Sequence, residues 1–163
     1  MDTMLIALEE AEAAAARGEV PVGAVVLGPD GVPLARAGNR VEADRDAAAH
    51  AEMLAMHAAA RLLGTARLVG CTLAATLEPC PMCAAAAAHY RVARVVFGAY
   101  DPKGGGVEHG PRIFAQPGCL WRPEVVGGVR EQECAALLRR FFRGLRDADA
   151  QGRGEHHISA RSS

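Results

Sequence analysis

The chain has 163 residues, a length that holds one domain and leaves no room for a second. Half of the residues are apolar and 23% are charged, which fits a packed globular core and excludes a disordered or collagen-like polymer. The formal charge of −1 hides an asymmetry, because residues 1–80 carry 11 acids against 6 bases (−5) while residues 81–163 carry 12 bases against 8 acids (+4).

A positive C-terminal half suits a phosphate backbone, and it equally suits a solvated helix on which Arg139, Arg140, Arg143 and Arg146 fall at helical spacing. Alanine supplies 34 residues, whereas Phe, Trp and Tyr together supply seven, so close helix packing has to replace aromatic bulk. No apolar run reaches the ~18 to 20 residues needed to span a bilayer, and residues 1–18 lack the basic start and apolar centre of an export signal. Cys71, Cys80, Cys83, Cys119 and Cys134 make an odd set in which a disulfide framework is not expected. These features predict a cytoplasmic protein with no membrane partner.

Residues 3–17 alternate Leu5, Leu8, Glu9 and Glu12 among alanines and end at Gly18, which predicts a first helix. The apolar runs 20–27 and 32–37, separated by Gly28-Pro29-Asp30-Gly31, predict a hairpin whose second strand ends at Asn39. A helical stretch over 47–63 stops at Gly64, followed by a strand over 71–77, a helix over 80–90 and a strand over 92–98. Pro102, Pro111, Pro117 and the run Gly104-Gly105-Gly106 mark 100–122 as loop. A last helix is predicted over 130–146. A single folded domain then covers 1–147, and 148–163 is read as a disordered tail. The alternation predicts an α/β, three-layer α-β-α fold with a mixed sheet of about five strands.

The chemistry concentrates in His50-Ala51-Glu52 and, 30 residues after the histidine, Pro79-Cys80-Pro81-Met82-Cys83. Two cysteines three positions apart place both sulfurs on one side of a helical turn, a spacing suited to tetrahedral zinc, and His50 completes three ligands. Three ligands leave a position for water, whose pKa zinc lowers to about 7. His57 is seven residues along the same helix, ~10 Å away at 1.5 Å per residue, too far to share the ion. Cys71 and His89 remain open as a fourth ligand of a closed, structural site.

Positions two apart on a regular helix point ~200° from each other, so His50 and Glu52 can face one ion only if the helix begins near Ala49. The same reasoning starts the next helix at Cys80, with Pro81 at its first position, where a missing N–H costs nothing. Two helix N-termini then converge, and their positive ends favour thiolate. Glu52 is suited to take a proton from water and pass it on, although as a residue type it also fits an ordinary first-turn acid.

H-x-E followed by P-C-x-x-C is an established signature of zinc nucleobase deaminases. More of the chain resembles one branch, the bacterial tRNA-specific adenosine deaminases, through 19–26 (Glu-Val-Pro-Val-Gly-Ala-Val-Val), Asn39-Arg40, 76–83 (Thr-Leu-Glu-Pro-Cys-Pro-Met-Cys), 94–99, Asp101-Pro102-Lys103, 133–138 and Phe141-Phe142-Arg143. The resemblance covers roughly residues 4–146. It implies the cytidine-deaminase-like fold, a homodimer with one zinc per subunit, and conversion of a wobble adenosine in a tRNA anticodon stem-loop to inosine with release of ammonia. Carried over residue by residue, it implies His50, Cys80 and Cys83 as zinc ligands, Glu52 as proton shuttle, and Asn39, Asp101, Lys103 and Phe142 on the substrate side.

The departures lie where RNA would be held. Where many members have Gly-Ala-x-Gly-Ser, this chain has Gly105-Gly106-Val107-Glu108-His109-Gly110, and Leu120-Trp121-Arg122 replaces a Leu-Asn-His stretch. Trp121 is read either as a base-stacking or as a packing residue, and Lys103, the only lysine, either as a phosphate contact or as an exposed turn residue. Two rival readings stay open: a deaminase of free guanine, cytosine or cytidine, and a nucleic-acid-binding module with structural zinc.

Overall fold

The computed structural model describes residues 2–159, with side chains through residue 152. In chain order it runs α1 (Thr3–Ala16), β1 (Gly23–Leu27), β2 (Pro33–Gly38), α2 (Val41–Asp44), α3 (Ala51–Leu63), β3 (Thr72–Leu77), α4 (Pro81–His89), β4 (Arg94–Ala99), a 3-10 turn (Ile113–Ala115), β5 (Glu124–Val126) and α5 (Glu131–Ser159). The strands form one sheet in the order β2-β1-β3-β4-β5. β1 pairs antiparallel with β2 and β3, and β3-β4-β5 are parallel, so the sheet is mixed as expected.

Alternation along the strands divides the core into two layers. Ala24 and Val26 of β1 and Leu73 and Ala75 of β3 face α3 and α4, together with Ala55, Met56, Ala84 and Phe97. The intervening Val25 and Ala74 face α1 and α5, against Ala7, Ala11, Cys134 and Leu137. A period of two in the strands thus produces helices on both faces, and alanine lets those helices come close. The approach is tightest at Gly23, where a Cβ would overlap the backbone of Ala7 and Ala11 in α1.

Most predicted elements are present with ends moved by one to three residues. Residues 47–50 are not helical, because the Asp46 carboxylate takes the Ala48 N–H (2.8 Å) and turns the chain before α3. The sequence does not announce α2, a single turn held from outside by Glu19, or β5, which is only three residues long. α5 runs to Ser159 and does not end near Arg146. The stretch from 148 to 159, expected as disordered tail, is therefore helical, for 147–151 (Asp-Ala-Asp-Ala-Gln) contains neither proline nor a β-branched residue to stop it. Residues 160–163 lie outside the described residues.

Candidate active site

The site sits at the carboxyl ends of the parallel strands, where open α/β sheets place their ligands. β3 delivers Glu78, Pro79 and Cys80, α4 carries Cys83, β4 delivers Asp101, and α3 brings His50 and Glu52. His50 is the N-cap of α3 and Cys80 the N-cap of α4, both with extended backbone, and Pro81 occupies the first turn of α4. Neither N-cap side chain bonds its own helix, since both are turned toward each other. The N–H of Ala51 is capped instead by Asn39 Oδ1 from the end of β2, at 2.8 Å.

Sγ of Cys80 and Sγ of Cys83 each lie 3.5 Å from Nδ1 of His50, and the three donor atoms fall within 4.8 Å of one another. Around tetrahedral zinc, with Zn–N near 2.0 Å and Zn–S near 2.3 Å, ligand atoms stand about 3.5 to 3.8 Å apart, so the trio fits the ion. Among the described residues no other group of His, Cys, Asp and Glu is so disposed. Cys71 is buried elsewhere and His89 is at the far end of α4, so neither closes the set. The cluster is primed for a cation. The hydrogen bond from Cys83, and after it that with His50, pulls the Cys80 thiol down to about 4, while Cys83, the partner in that bond, is pushed up.

Glu52 lies beside the trio and is 4% exposed. Loss of solvent pushes its carboxyl up to about 7, against the opposing pull of its own backbone N–H and of His50. A carboxyl poised near neutrality can both take and give a proton, the requirement for a shuttle. His50, Glu52 and Cys80 open into a cavity of about 460 Å³, whose wall also includes Asn39, Asp101 and Phe141.

The substrate-side residues are placed unevenly. Asn39 is on the wall, with its amide nitrogen donating to the Val20 carbonyl (3.2 Å) while its oxygen caps α3. Asp101 is at the rim, its carboxylate accepting the N–H groups of Lys103 (3.2 Å) and Gly104 (2.9 Å). Lys103 is exposed beside it. Phe141, not Phe142, lines the cavity, and Phe142 packs edge-on against it at 5.5 Å, since adjacent helical residues point ~100° apart. Trp121 is a packing residue: its indole N–H donates to the Val92 carbonyl (2.8 Å), and Arg91 sits 5.6 Å over its ring.

Two carboxylates that the sequence reading did not single out hold the rims. Glu19, 2% exposed, accepts the N–H groups of Glu42 (3.0 Å) and Ala43 (2.8 Å) and so ties α2 to the cavity edge. Glu78 does the corresponding work for the loop after β4. The available signal was a lone carboxylate beside an apolar strand segment, as in Glu19-Val20-Pro21-Val22 and Thr76-Leu77-Glu78-Pro79.

Residues 1–99 match the family described as the cytidine and deoxycytidylate deaminase zinc-binding region. The chain belongs to that family of zinc-dependent deaminases. It is 50% identical over 143 residues to the tRNA-specific adenosine deaminase of Agrobacterium fabrum (strain C58 / ATCC 33970), covering 88% of this chain and 93% of that one. It is 49% identical over 140 residues to the tRNA-specific adenosine deaminase of Bacillus subtilis (strain 168), covering 86% of each. A solved structure from a study of A-to-I editing by tRNA:A34 deaminases at the wobble position superposes with a TM-score of 0.82 at 48% identity, covering 83% of this chain and 98% of that one. Within the family the sequence therefore sits with the tRNA-specific adenosine deaminases.

Proposed function

We propose that the protein hydrolyses the 6-amino group of the wobble adenosine in a tRNA anticodon, giving inosine and ammonia. The observation that carries this reading is the union of a three-residue cluster that fits a metal, a buried carboxyl held near neutrality, and a cavity of about 460 Å³ in front of them to take a flipped base. Zinc, when bound, supplies Lewis-acid activation of water near neutral pH. Glu52 takes one proton from the attacking water and gives it to the purine ring nitrogen, where it stays, and then carries the proton of the new C6 hydroxyl to the amino group as the C–N bond breaks, the carbonyl forms and ammonia leaves. Asn39 keeps one amide hydrogen free of its Val20 bond and turns it toward the nucleoside. Asp101, Lys103 and Phe142 belong to the edge that meets the rest of the anticodon loop, with Lys103 on phosphate.

The same reading takes residues 1–147 as the deaminase unit, a homodimer as the working form, and the cytoplasm as its compartment. The resemblance to the branch supports the dimer, and so does Leu120, 86% exposed beside a groove lined by Ile113 and Trp121. Five unpaired cysteines are in keeping with a reducing compartment, and no helix among the described residues is long and apolar enough to cross a membrane.

The test incubates the zinc-loaded protein with an anticodon stem-loop carrying a wobble adenosine, and in parallel with free adenosine, guanine and cytidine, and reads the products by mass. Inosine in the RNA alone is expected. Turnover of a free base with untouched RNA would move the protein to the nucleobase branch, and no turnover anywhere would leave a structural zinc module.

A further inference from the structure

Glu78 is buried, and every hydrogen bond to its carboxylate comes from one loop. The N–H of Asp101 reaches Oε1 at 3.1 Å, and the N–H groups of Val107, Glu108 and His109 reach Oε2 at 3.3, 3.0 and 3.0 Å. The fifth partner is Nδ1 of His109, 2.8 Å from Oε1. Four of these partners can only donate, so the carboxylate acts purely as an acceptor and the His109 proton resides on Nδ1. The imidazole is also wedged edge-on against Tyr100 (6.0 Å between centroids), which packs on Phe97 of β4 (5.1 Å).

The loop so gathered lies directly on the metal-bearing turn. The Gly106 N–H donates to the Pro79 carbonyl at 2.8 Å, and a Cβ on Gly106 would overlap the backbone of Pro81. A Cβ on Gly105 would overlap the Glu78 carboxylate itself. Asp101 and Gly104 of this loop form part of the cavity rim, with Lys103 between them.

We propose that Glu78 and His109 are positioning residues for the deaminase reaction, locking the 101–109 loop so that the cavity presents a preformed edge to the part of the substrate beyond the reacting base. The inference rests on the RNA-deaminase reading for the identity of that substrate. Both carry out this role through the loop, Glu78 from the cavity wall with its carboxylate taken up by loop donors. They act through Asp101, Lys103 and Gly104, and ordering that edge before binding lowers the cost of association.

The experiment compares wild type, His109→Ala and His109→Asn. An asparagine amide nitrogen reaches the place of imidazole Nδ1. His109→Ala is expected to keep its zinc and a kcat within about twofold, to raise KM for the stem-loop about tenfold through loss of one hydrogen bond to a charged group, and to speed amide hydrogen exchange at Val107 and Glu108 but not in α4. His109→Asn is expected to restore both KM and exchange. Unchanged loop exchange in His109→Ala, a fall in kcat with no change in KM, or no rescue by asparagine would each overturn the proposal. The wild-type arm separates the two readings. If it deaminates only a free base, the RNA reading fails, and the same three proteins are compared on that base, where an unchanged KM overturns the positioning role. A wild type that turns over nothing overturns both.

Discussion

Glu52 on the floor of the cavity and Glu78 in its wall are the same residue type, both nearly devoid of solvent, and they are driven in opposite directions. Burial dominates at Glu52 and lifts its carboxyl to about 7. Burial also acts on Glu78, but the hydrogen bond from His109 and then those from the Asp101, Glu108 and His109 backbones outweigh it and hold the carboxyl below its ordinary value. The number of donors aimed at a buried carboxylate therefore decides its work. With few donors it is free to exchange a proton, and with five it becomes an anchor for backbone.

The largest effect is expected at the metal cluster on which Glu52 borders. Cys83→Ala removes a buried ligand, and the purified protein should lose its zinc by elemental analysis and all measurable turnover. Glu52→Gln comes next: it should retain one zinc per chain and a wild-type melting temperature, while kcat falls by about 10² to 10⁴-fold. An amide costs little where the carboxyl was already easily neutralised. Retained turnover in this variant would remove Glu52 from proton transfer.

The clustering of His50, Cys80 and Cys83 with Glu52 beside them was legible in the sequence because its geometry is local. H-x-E places its members at a helix start, C-x-x-C spans one helical turn, and Pro81 marks where that turn begins. The two-faced sheet was legible for the same reason, since alternation along β1 and β3 is a property of adjacent residues. The Glu78 anchor was not, because its side-chain partner lies 31 residues away in a glycine-rich loop and its other partners are backbone N–H groups, which no residue type signals. Phe142 was expected on the substrate side, whereas Phe141 lines the cavity, because the phase of α5 is not set by the residues themselves. The short β5 is defined by pairing with β4 more than by its own three residues.

The same substitution at the anchor should give the reverse of the Glu52 result. Glu78→Gln replaces a pure acceptor by a group whose NH₂ faces donors, leaving buried N–H groups unpaired at a cost of about 2 to 4 kcal/mol of stability. A chemical denaturation curve reads this as a lower midpoint with an unchanged slope. Turnover at saturating substrate should fall far less than in Glu52→Gln. Equal stabilities for the two glutamine variants would show that donor count does not separate the residues.

Asp2 supplies the remaining combination, a carboxylate with donors but without burial. It caps α1 through the Met4 N–H (3.1 Å) and pairs with Arg130 ahead of α5 (2.7 and 2.8 Å), and the Arg130 hydrogen bond holds its carboxyl below the ordinary value. Water screens an exposed pair, so Asp2→Asn, which keeps a capping oxygen, should lower the melting temperature at pH 7 only slightly. The sign of the pH dependence follows from the depressed value. The contribution is present above the unfolded pKa near 3.8 and is lost as pH falls through the lower folded one, so melting curves of variant and wild type should converge below that point. A gap that persisted in acid would trace the effect to the cap, and a gap as large as that of Glu78→Gln would mean that donors anchor a carboxylate as firmly in water as they do beneath the 101–109 loop.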